Sequence, residues 1–478
     1  MQTRKDLYQA HRLMTQRLGL ALLQAEPDLP ESPMRRQNVA TFAGILIAVL
    51  ITAGFGIWGM LKPGNATKLK EAGQLLVEEE TGASYIYDQR DGTLRPVANY
   101  TSARLLLDSQ DVKVRTVSAE SLAGFRRGQK LGIQGAPDSL PKPERLVKAP
   151  WSACVAEGAA GVGGVRKPYV TLIAGTDVGG RPVGGDALVV NDGQQSWVLW
   201  AGLRLRVTNV DRLTDQTPRR VPPSWINTIP AGADFAAPPV AARGRRVAGP
   251  GGTQARVGQV FTVPPAAGAA ARWYVQYPDG LAAITHTQAM LLLQDPASKT
   301  AYGRQPVREL TIDAASANAV RQSASRIRGG GLPETMPRFR APSVAEPLCA
   351  VYADTVKGSV KSSLTVGGTM RLSPPAVSGS PDKVDQVLLP AGTAVLAGQL
   401  PGEGKLASVQ QFWLVTDQGR RFRLASPDLV GKLGYSAADI APVPTQLLRL
   451  IPDGPALDPV AARTPMEDTR TIPQPATQ

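Results

Sequence analysis

Residues 38–61 read NVATFAGILIAVLITAGFGIWGML and contain no charged side chain. About 20 consecutive apolar residues are enough for a helix to cross the hydrocarbon core of a bilayer. A buried helix of a soluble domain would normally carry a polar face. A cleaved signal peptide would have a shorter apolar region near the N-terminus, whereas 37 residues precede this one. The sequence therefore predicts a single uncleaved transmembrane helix over residues 38–61.

Basic residues are concentrated on the N-terminal side of this stretch. They are Arg4, Lys5, Arg12, Arg17, Arg35 and Arg36. The near-membrane bias is not absolute, because Lys62, Lys68 and Lys70 follow the stretch. Since basic loops stay on the cytoplasmic side of a membrane, we expect a cytoplasmic N-terminus and an extracytoplasmic bulk.

Small residues recur every four positions along the apolar stretch. They are Ala40, Gly44, Ala48, Thr52 and Gly56. Small side chains at this spacing allow a second transmembrane helix to approach closely. We predict a packing face here, and the alternative is chance in a segment rich in Ala and Gly.

The N-terminal arm, residues 1–37, carries an expected helix over residues 3–25. Leu7, Met14, Leu18 and Leu22 recur at helical spacing. The helix could rest on the inner leaflet as an amphipathic segment or dock a cytoplasmic partner. Three prolines within residues 27–33 are expected to end it and to form a short linker.

The region after the anchor, residues 62–462, shows repeated strand–turn–strand patterns. With 48 Gly and 41 Pro in 478 residues, long helices are excluded for most of the chain. Aromatic and β-branched residues before a Gly turn predict four hairpins. These hairpins fall at residues 85–97, 197–207, 273–284 and 412–424. Short helices are expected at residues 99–108, 287–294 and 426–433, the last one capped by Ser426.

Four features of the outer region recur in the same order. Gly92, Cys154, Trp197 and Val221-Pro222 match Gly280, Cys349, Trp413 and Val443-Pro444, at separations of 188, 195, 216 and 222 residues. Ordered self-similarity of this kind predicts two pseudo-symmetric halves, about 72–240 and 260–462. Chance likeness of hairpins is the alternative. Residues 236–271 are expected to form an exposed connection and residues 463–478 a disordered tail.

The two cysteines occupy matching positions of these halves. Disulfides persist outside the cytoplasm, and two cysteines allow only one intramolecular pairing. Equivalent positions near a pseudo-twofold axis would bring Cys154 and Cys349 together, and two unpaired thiols remain the alternative.

A search for catalytic motifs finds none. The phosphate-binding pattern G-x-x-x-x-G-K-[ST] fails at Gly404-Lys405, because Leu406 follows and Gln399 stands where the first Gly belongs. There is also no G-x-S-x-G elbow. His11 and His286 lie on opposite sides of the predicted membrane and cannot share a site. We therefore expect no catalytic residues and no enzyme.

Metal, cofactor and nucleic-acid sites are also not expected. Two Cys and two His are too few for zinc ribbons, iron–sulfur sites or His-rich centres. Asp91, Asp192, Asp279 and Asp453 each precede Gly, which turn chemistry explains. The net charge of +14 lies mostly outside the cell and lacks a stacking pattern. It fits solubility or contact with anionic envelope polymers and headgroups.

Several segments together resemble the EccB family, a membrane component of the actinobacterial type VII (ESX) secretion system. One is the basic N-terminal helix followed by PMRRQ at residues 33–37 and the single anchor. A second is LVEEETGASYIYD at residues 76–88, followed by LRPVANYTSARL at residues 94–105. A third is GIQGAPDSLP at residues 132–141, in which Gln134 departs from the family pattern.

The resemblance implies a structural subunit that anchors and builds the extracytoplasmic part of the secretion channel. It implies an α+β, β-rich fold, with a single transmembrane helix and an elongated domain of small repeats around a central β core. It further implies a Cys154–Cys349 disulfide and a location in the cell membrane. Implied partners are EccC, EccD, EccE, the mycosin protease and a second copy, as a dimer within a sixfold assembly.

Two alternatives to a structural subunit follow from the same features. One is a membrane-anchored nucleotide hydrolase, because an ATPase activity is attributed to some members of the family. The other is an anchored module that binds cell-wall polymer.

Overall fold

The computed structural model describes residues 4–24, 33–61, 68–107, 112–160, 166–265, 268, 270–324, 331–375 and 380–466. The chain forms two compact units. The first contains Met1–Glu71, Leu76–Gly82 and Arg115–Gly124, and the second contains Ala72–Leu75, Ala83–Val114 and Phe125–Gln478. Each unit is described by itself.

Two long helices dominate the first unit, and the remaining helices are short. In chain order they are α1 (Arg4–Gln24), α2 (Pro33–Leu61), α3 (Tyr100–Leu106), α4 (Ala119–Ala123), α5 (Pro223–Ile226), α6 (His286–Gln294), α7 (Lys299–Tyr302), α8 (Ala314–Ala319), α9 (Leu429–Lys432), α10 (Thr445–Leu450) and α11 (Pro459–Arg463).

The strands are short, as expected of a chain divided by so many Gly and Pro residues. In chain order they are β1 (Gln74–Glu78), β2 (Ser84–Asp88), β3 (Thr93–Pro96), β4 (Lys113–Val117), β5 (Trp151–Ala160), β6 (Arg166–Ala174), β7 (Arg181–Pro182), β8 (Ala187–Asn191), β9 (Ser196–Trp200), β10 (Leu203–Val207), β11 (Arg219–Arg220), β12 (Arg246–Ala248), β13 (Gln254–Arg256), β14 (Val260–Val263), β15 (Arg272–Tyr277), β16 (Gly280–Ile284), β17 (Leu310–Thr311), β18 (Phe339–Arg340), β19 (Leu348–Tyr352), β20 (Ser363–Val366), β21 (Gln386–Leu388), β22 (Ala394–Leu400), β23 (Phe412–Thr416), β24 (Arg421–Arg423) and β25 (Ala441–Pro444).

One sheet design recurs in the second unit. The orders β10-β9-β8-β11, β16-β15-β14-β17 and β24-β23-β22-β25 are the same, and these sheets are called the second, third and fourth repeats. Three consecutive strands are antiparallel, and the fourth returns to pair in parallel with the first. The hairpin β2–β3 supplies the matching antiparallel pair near the start of the unit. All four predicted hairpins and the β-rich repeat fold are therefore confirmed.

A second parallel contact, which the sequence did not predict, closes each hairpin. A residue at the start of the strand after the turn bridges in parallel to a later segment. The bridges are Leu94–Arg127, Arg204–Ala231, Leu281–Gln322 and Arg421–Asp453. In the last case Arg421 N donates to Pro452 O and Gly454 N donates to Arg421 O. Each repeat thus fixes its own downstream linker.

The central sheet has the order β21-β6-β5-β19-β20-β7. Its largest fully buried side chains include Trp151 and Tyr352, which face each other across β5 and β19. Trp225 of α5 is also fully buried, and its Nε1 donates to Ala153 O on β5. These residues belong to one apolar cluster that also contains residues of β8, β22, β25 and α10. The sheets built on β8 and β22 therefore share a core with the central sheet.

Several local expectations need correction. Residues 236–271 are not a loose connection, because they contain β12, β13 and the buried strand β14. Their Ala, Pro and Gly content hid three short strands, of which β12 and β13 pair with each other and β14 pairs with β15 and β17. Ser426 does not cap the following helix, which begins at Leu429 with Asp428 before it and no capping side chain.

The ends of two other segments also differ from expectation. The second helix begins at Pro33 rather than at residue 38, since Pro is tolerated in the first turn of a helix. The expected tail starts later than residue 463, because α11 ends at Arg463 and Met466 N donates to Lys130 O. Residues 3 and 25 at the ends of the expected N-terminal helix, residues 27–32 of the expected linker, Lys62 and residues 467–478 lie outside the described residues.

Candidate functional site

Helix α2 contains a stretch, Gln37–Trp58, that is long and apolar enough to cross a membrane. Its mean hydropathy is 2.2, and none of it is buried within the structure. The predicted small residues lie on this helix, where a Cβ added at Gly44 or Gly56 would meet no atom within 4 Å. Thr52 Oγ1 donates to Ala48 O, which satisfies the hydroxyl inside the helix. The stripe is therefore open, and its role as a packing face stays a prediction.

Helix α1 exposes apolar side chains along its length. Leu7, Met14, Leu18 and Leu22 are 63%, 68%, 59% and 84% exposed. An apolar face of this kind binds a bilayer surface or a partner helix. The structure leaves both interpretations of α1 open.

The two cysteines lie directly opposite each other on adjacent antiparallel strands. Cys154 of β5 and Cys349 of β19 are paired in register, with Cα atoms 4.0 Å apart and a disulfide between them. Each cysteine is 1% exposed, and Ile173 and Val178 belong to the same apolar cluster. The bond joins segments 195 residues apart, so it locks the middle of the central sheet.

Asp91 serves the turn in which it lies, as expected, whereas Asp279 binds a segment 44 residues further along the chain. Asp91 accepts from Thr93 N and Thr93 Oγ1, and Asp279 accepts from Ser323 Oγ and Ala324 N. The Thr93 hydroxyl contributes most to lowering the pKa of Asp91, and Ser323 does the same for the pKa of Asp279. Both carboxylates are thus held ionised in structural roles.

The other two aspartates close polar networks. Burial raises the pKa of Asp192, but the hydrogen bonds from Trp197 Nε1, Gln194 N and Gln195 N outweigh it. The net result is a pKa below the usual value. Asp453 follows the same logic, because the effect of burial on its pKa is outweighed by hydrogen bonds from Arg421 and Lys383.

A repeated Trp–Arg pair was not predicted from the sequence. The Arg204 guanidinium lies 5.2 Å from the ring centroid of Trp197, and that of Arg421 lies 6.0 Å from Trp413. Both distances are within cation–π range. Burial lowers the pKa of Arg204. The sequence does contain a signal for this pair, because Arg204 and Arg421 occupy the same position after their hairpin turns.

The residues that come nearest to a catalytic motif make structural contacts. Gly404 N donates to Gly358 O and Lys405 N donates to Gly402 O, so these two N–H groups are engaged within the protein. His286 begins α6, packs on the Trp273 ring and accepts from Met336 N. Among the described residues there is no cluster of His, Cys, Asp and Glu that could hold a metal ion.

One polar cavity of about 540 Å³ opens beside β8, β9 and β11. It is lined by Asn191, Ser196, Thr208, Asp211 and Arg220, among others. Ser196 Oγ accepts from the Asn191 amide, which is not a base. The hydrogen-bond partner of the Ser196 hydroxyl in the described residues is therefore an amide and not a base that could activate it.

Comparison with known proteins gives one consistent result. The family model described as "Type VII secretion system ESX-1, transport TM domain B" matches residues 1–470. The chain is 26% identical over 488 residues to the ESX-3 secretion system ATPase EccB3 of Mycobacterium tuberculosis, covering 93% of this chain and 86% of the relative. It is 25% identical over 466 residues to the ESX-1 secretion system ATPase EccB1 of Mycolicibacterium smegmatis, covering 94% and 92%.

Solved structures share the fold. A chain of an intact ESX-5 inner membrane complex matches with a TM-score of 0.64 at 22% identity, covering 100% of this chain and 98% of that one. The EccB3 dimer from the ESX-3 core complex matches with a TM-score of 0.63 at 24% identity, covering 82% and 99%.

Proposed function

The chain belongs to the EccB family of type VII secretion components, and we propose that it is the structural subunit that anchors and builds the extracytoplasmic part of a secretion channel. One observation carries this proposal. A single apolar helix, no part of which is buried within the structure, is joined to a disulfide-locked repeat domain without a catalytic constellation in its described residues. Such a chain can hold position and bind neighbours, but it offers no chemistry of its own.

We place residues 1–37 in the cytoplasm and residues 62–462 outside. The support is the run of basic residues before the apolar stretch. A disulfide buried in the central sheet also fits an oxidising compartment. The outer domain would consist of halves at about 72–240 and 260–462, because strands β5 and β19 pair antiparallel around the disulfide. An antiparallel pair with matching cysteines at its centre is the arrangement a pseudo-twofold axis produces.

The proposed partners follow from family membership. They are EccC, EccD, EccE and the mycosin protease, together with a second copy of this chain. The exposed helices α1 and α2 offer two surfaces for such partners. A related EccB3 has been solved as a dimer, which supports self-association here.

We do not propose nucleotide hydrolysis, although the relatives' names carry the word ATPase. The sequence lacks the G-x-x-x-x-G-K-[ST] motif that cradles phosphates. In the loop nearest to that motif, the N–H groups of Gly404 and Lys405 are engaged. Purified chain should show no turnover above the level of a matched mock purification. Turnover that copurifies with the chain through every column would contradict this assignment.

Copurification from the native membrane tests the structural role. We expect tagged full-length chain in gentle detergent to retain other membrane subunits of the secretion complex. Gly56→Leu should weaken that retention, because it fills the small-residue stripe of α2. Gly54→Leu is the matched control, since it adds the same side chain on the opposite face of the same open helix. Equal retention of the other subunits by both variants would contradict the proposed packing role of the small-residue stripe. A wild-type chain that purifies alone would contradict the structural role.

A further inference from the structure

The two-stranded ribbon β12–β13 carries an arginine pair on one face, in which Arg246 is exposed and Arg256 is half-buried. Arg246 lies directly opposite Arg256 in the antiparallel register, and Val247 lies opposite Ala255. Val247 and Ala255 pack into the core of the third repeat. Because side chains alternate between the faces of a strand, Arg246 and Arg256 point away from that core. Their Cβ atoms are thus neighbours on one open face.

These arginines are not neutralised within the described part of the chain. No carboxylate among the described residues forms an ion pair with Arg246, Arg256 or the adjacent exposed Arg245. Arg243, two residues upstream, shows the contrast, since it pairs with Asp295 at 2.6 Å. Arg256 Nη1 reaches Gly244 O at 3.5 Å, which leaves most of its donors available. Like charges directly opposite each other destabilise a ribbon, so an external anion would stabilise this one.

We propose that the outer face of β12–β13 binds a phosphodiester-bearing anionic polymer. A guanidinium donates two parallel hydrogen bonds to phosphate oxygens, and two neighbouring guanidiniums suit successive or shared phosphate groups. A polymer that repeats its charges also gains from Arg245 beside the pair. No bond is made or broken, so the site is a binding surface only.

The surroundings of the ribbon favour a soluble polymer over a lipid surface or a nucleic acid. The apolar residues Val247 and Ala255 of the ribbon face the core, so its outer face carries no large apolar side chain that could enter a bilayer. The outer face carries Arg246, Arg256, Ala248 and Gln254, and thus no aromatic ring on which a base could stack. The outer face of the ribbon is therefore complementary to a ligand through its positive charge, and a polyanion has the matching negative charges.

The test uses full-length chain in neutral detergent and fluorescent poly(glycerol phosphate) as the probe. We expect Arg246→Gln/Arg256→Gln to weaken binding about tenfold or more at low salt, since two charge-assisted contacts are lost. Arg420→Gln/Arg423→Gln removes the same charge from exposed positions of the fourth repeat. This control should change binding by less than about threefold, as expected of a long-range charge effect.

Parallel titrations separate the possible sources of phosphate. Anionic phosphatidylglycerol vesicles that bind while the polymer does not would overturn the proposal in favour of a lipid surface. Equal losses in both double variants would overturn it in favour of net charge alone. If the Gln variant fails to fold, Arg246→Lys/Arg256→Lys keeps the charge and removes the paired donors. Unchanged binding in that variant would also contradict the proposal.

Discussion

The second and fourth repeats have the same strand order but differ in the polar group that binds the Arg after the hairpin turn. Both sheets place a Trp on the middle strand of the meander and an Arg over its ring, at Trp197–Arg204 and Trp413–Arg421. In the second repeat Arg204 Nη1 donates to the neutral amide of Asn227 at 2.6 Å. In the fourth, Arg421 Nε and Lys383 Nζ both donate to the carboxylate of Asp453.

This difference shows that the strand pairing and the Trp–Arg packing are common to both repeats. The polar group that binds the Arg differs between them. Lys383 lies just before β21, a strand of the central sheet, and also donates to Arg449 O and Ile451 O. The ionic closure therefore ties the fourth repeat to the central sheet. The amide closure of Arg204 stays within the second repeat and its own linker.

The largest expected effect comes from cutting the covalent link between the segments that carry the two repeats. Cys154→Ala/Cys349→Ala should lower the free energy of unfolding by about 2–5 kcal/mol, because the bond closes a long loop. Alanine avoids placing a hydroxyl in this buried site. Urea unfolding followed by Trp fluorescence measures the change. An unchanged midpoint would mean that the paired strands hold the sheet without the disulfide.

The second substitution places the same residue type, Leu, at matching core positions of the second and fourth repeats. Trp225 of α5 and Leu447 of α10 lie 222 residues apart, at matching positions, and both are fully buried. Trp225→Leu should cost about 2–4 kcal/mol, because it leaves a cavity and removes the donor to Ala153 O. Leu447→Met keeps the volume and should cost less than about 1.5 kcal/mol. Urea unfolding of both variants measures the difference, and similar losses would refute the asymmetry between the two positions.

The smallest effect concerns the ionic closure and its dependence on pH. Asp453→Asn should cost about 1 kcal/mol at neutral pH, a modest value because the carboxylate side chain is 58% exposed. The hydrogen bonds from Arg421 and Lys383 hold the pKa of Asp453 in the folded state below its ordinary value of 3.8. The contribution of Asp453 is therefore present above that pH and is lost as pH falls through the lowered folded value.

A pH series of unfolding midpoints tests this prediction. Wild type and Asp453→Asn should converge at acid pH and separate towards neutrality. Asn227→Asp gives the second repeat the carboxylate that the fourth already has, so it should gain stability over the same direction of pH. Parallel curves for wild type and Asp453→Asn would show that the carboxylate adds nothing to the amide.

The hairpins could be predicted because their signals are local. Trp197 and Trp413 begin aromatic runs that end in a Gly turn, and the turn sets the strand pairing. Strands β11 and β17 have two residues each, and their parallel partners lie far back in the chain. No local pattern identifies such pieces. Residues 246–256 looked like a linker for another reason: their strands have three residues each and lie in a stretch rich in Ala, Pro and Gly, although they pair with each other and pack on the third repeat.

The site residues divide in the same way. The apolar stretch was visible because membrane insertion depends on composition and length alone. The disulfide could be predicted because the chain has only two cysteines. The polar partners of Arg204 and Arg421 were not, since Asn227, Asp453 and Lys383 meet them only through tertiary contacts.

The central claim is that this chain is a structural subunit that works only inside a larger membrane complex. The most direct measurement is the mass of the particle that contains it, by mass photometry of complex extracted gently from its own membranes. The account predicts a particle many times the 50.5 kDa of the chain, containing several copies of it together with other membrane proteins. A single homogeneous species of one chain in a detergent micelle would contradict the account.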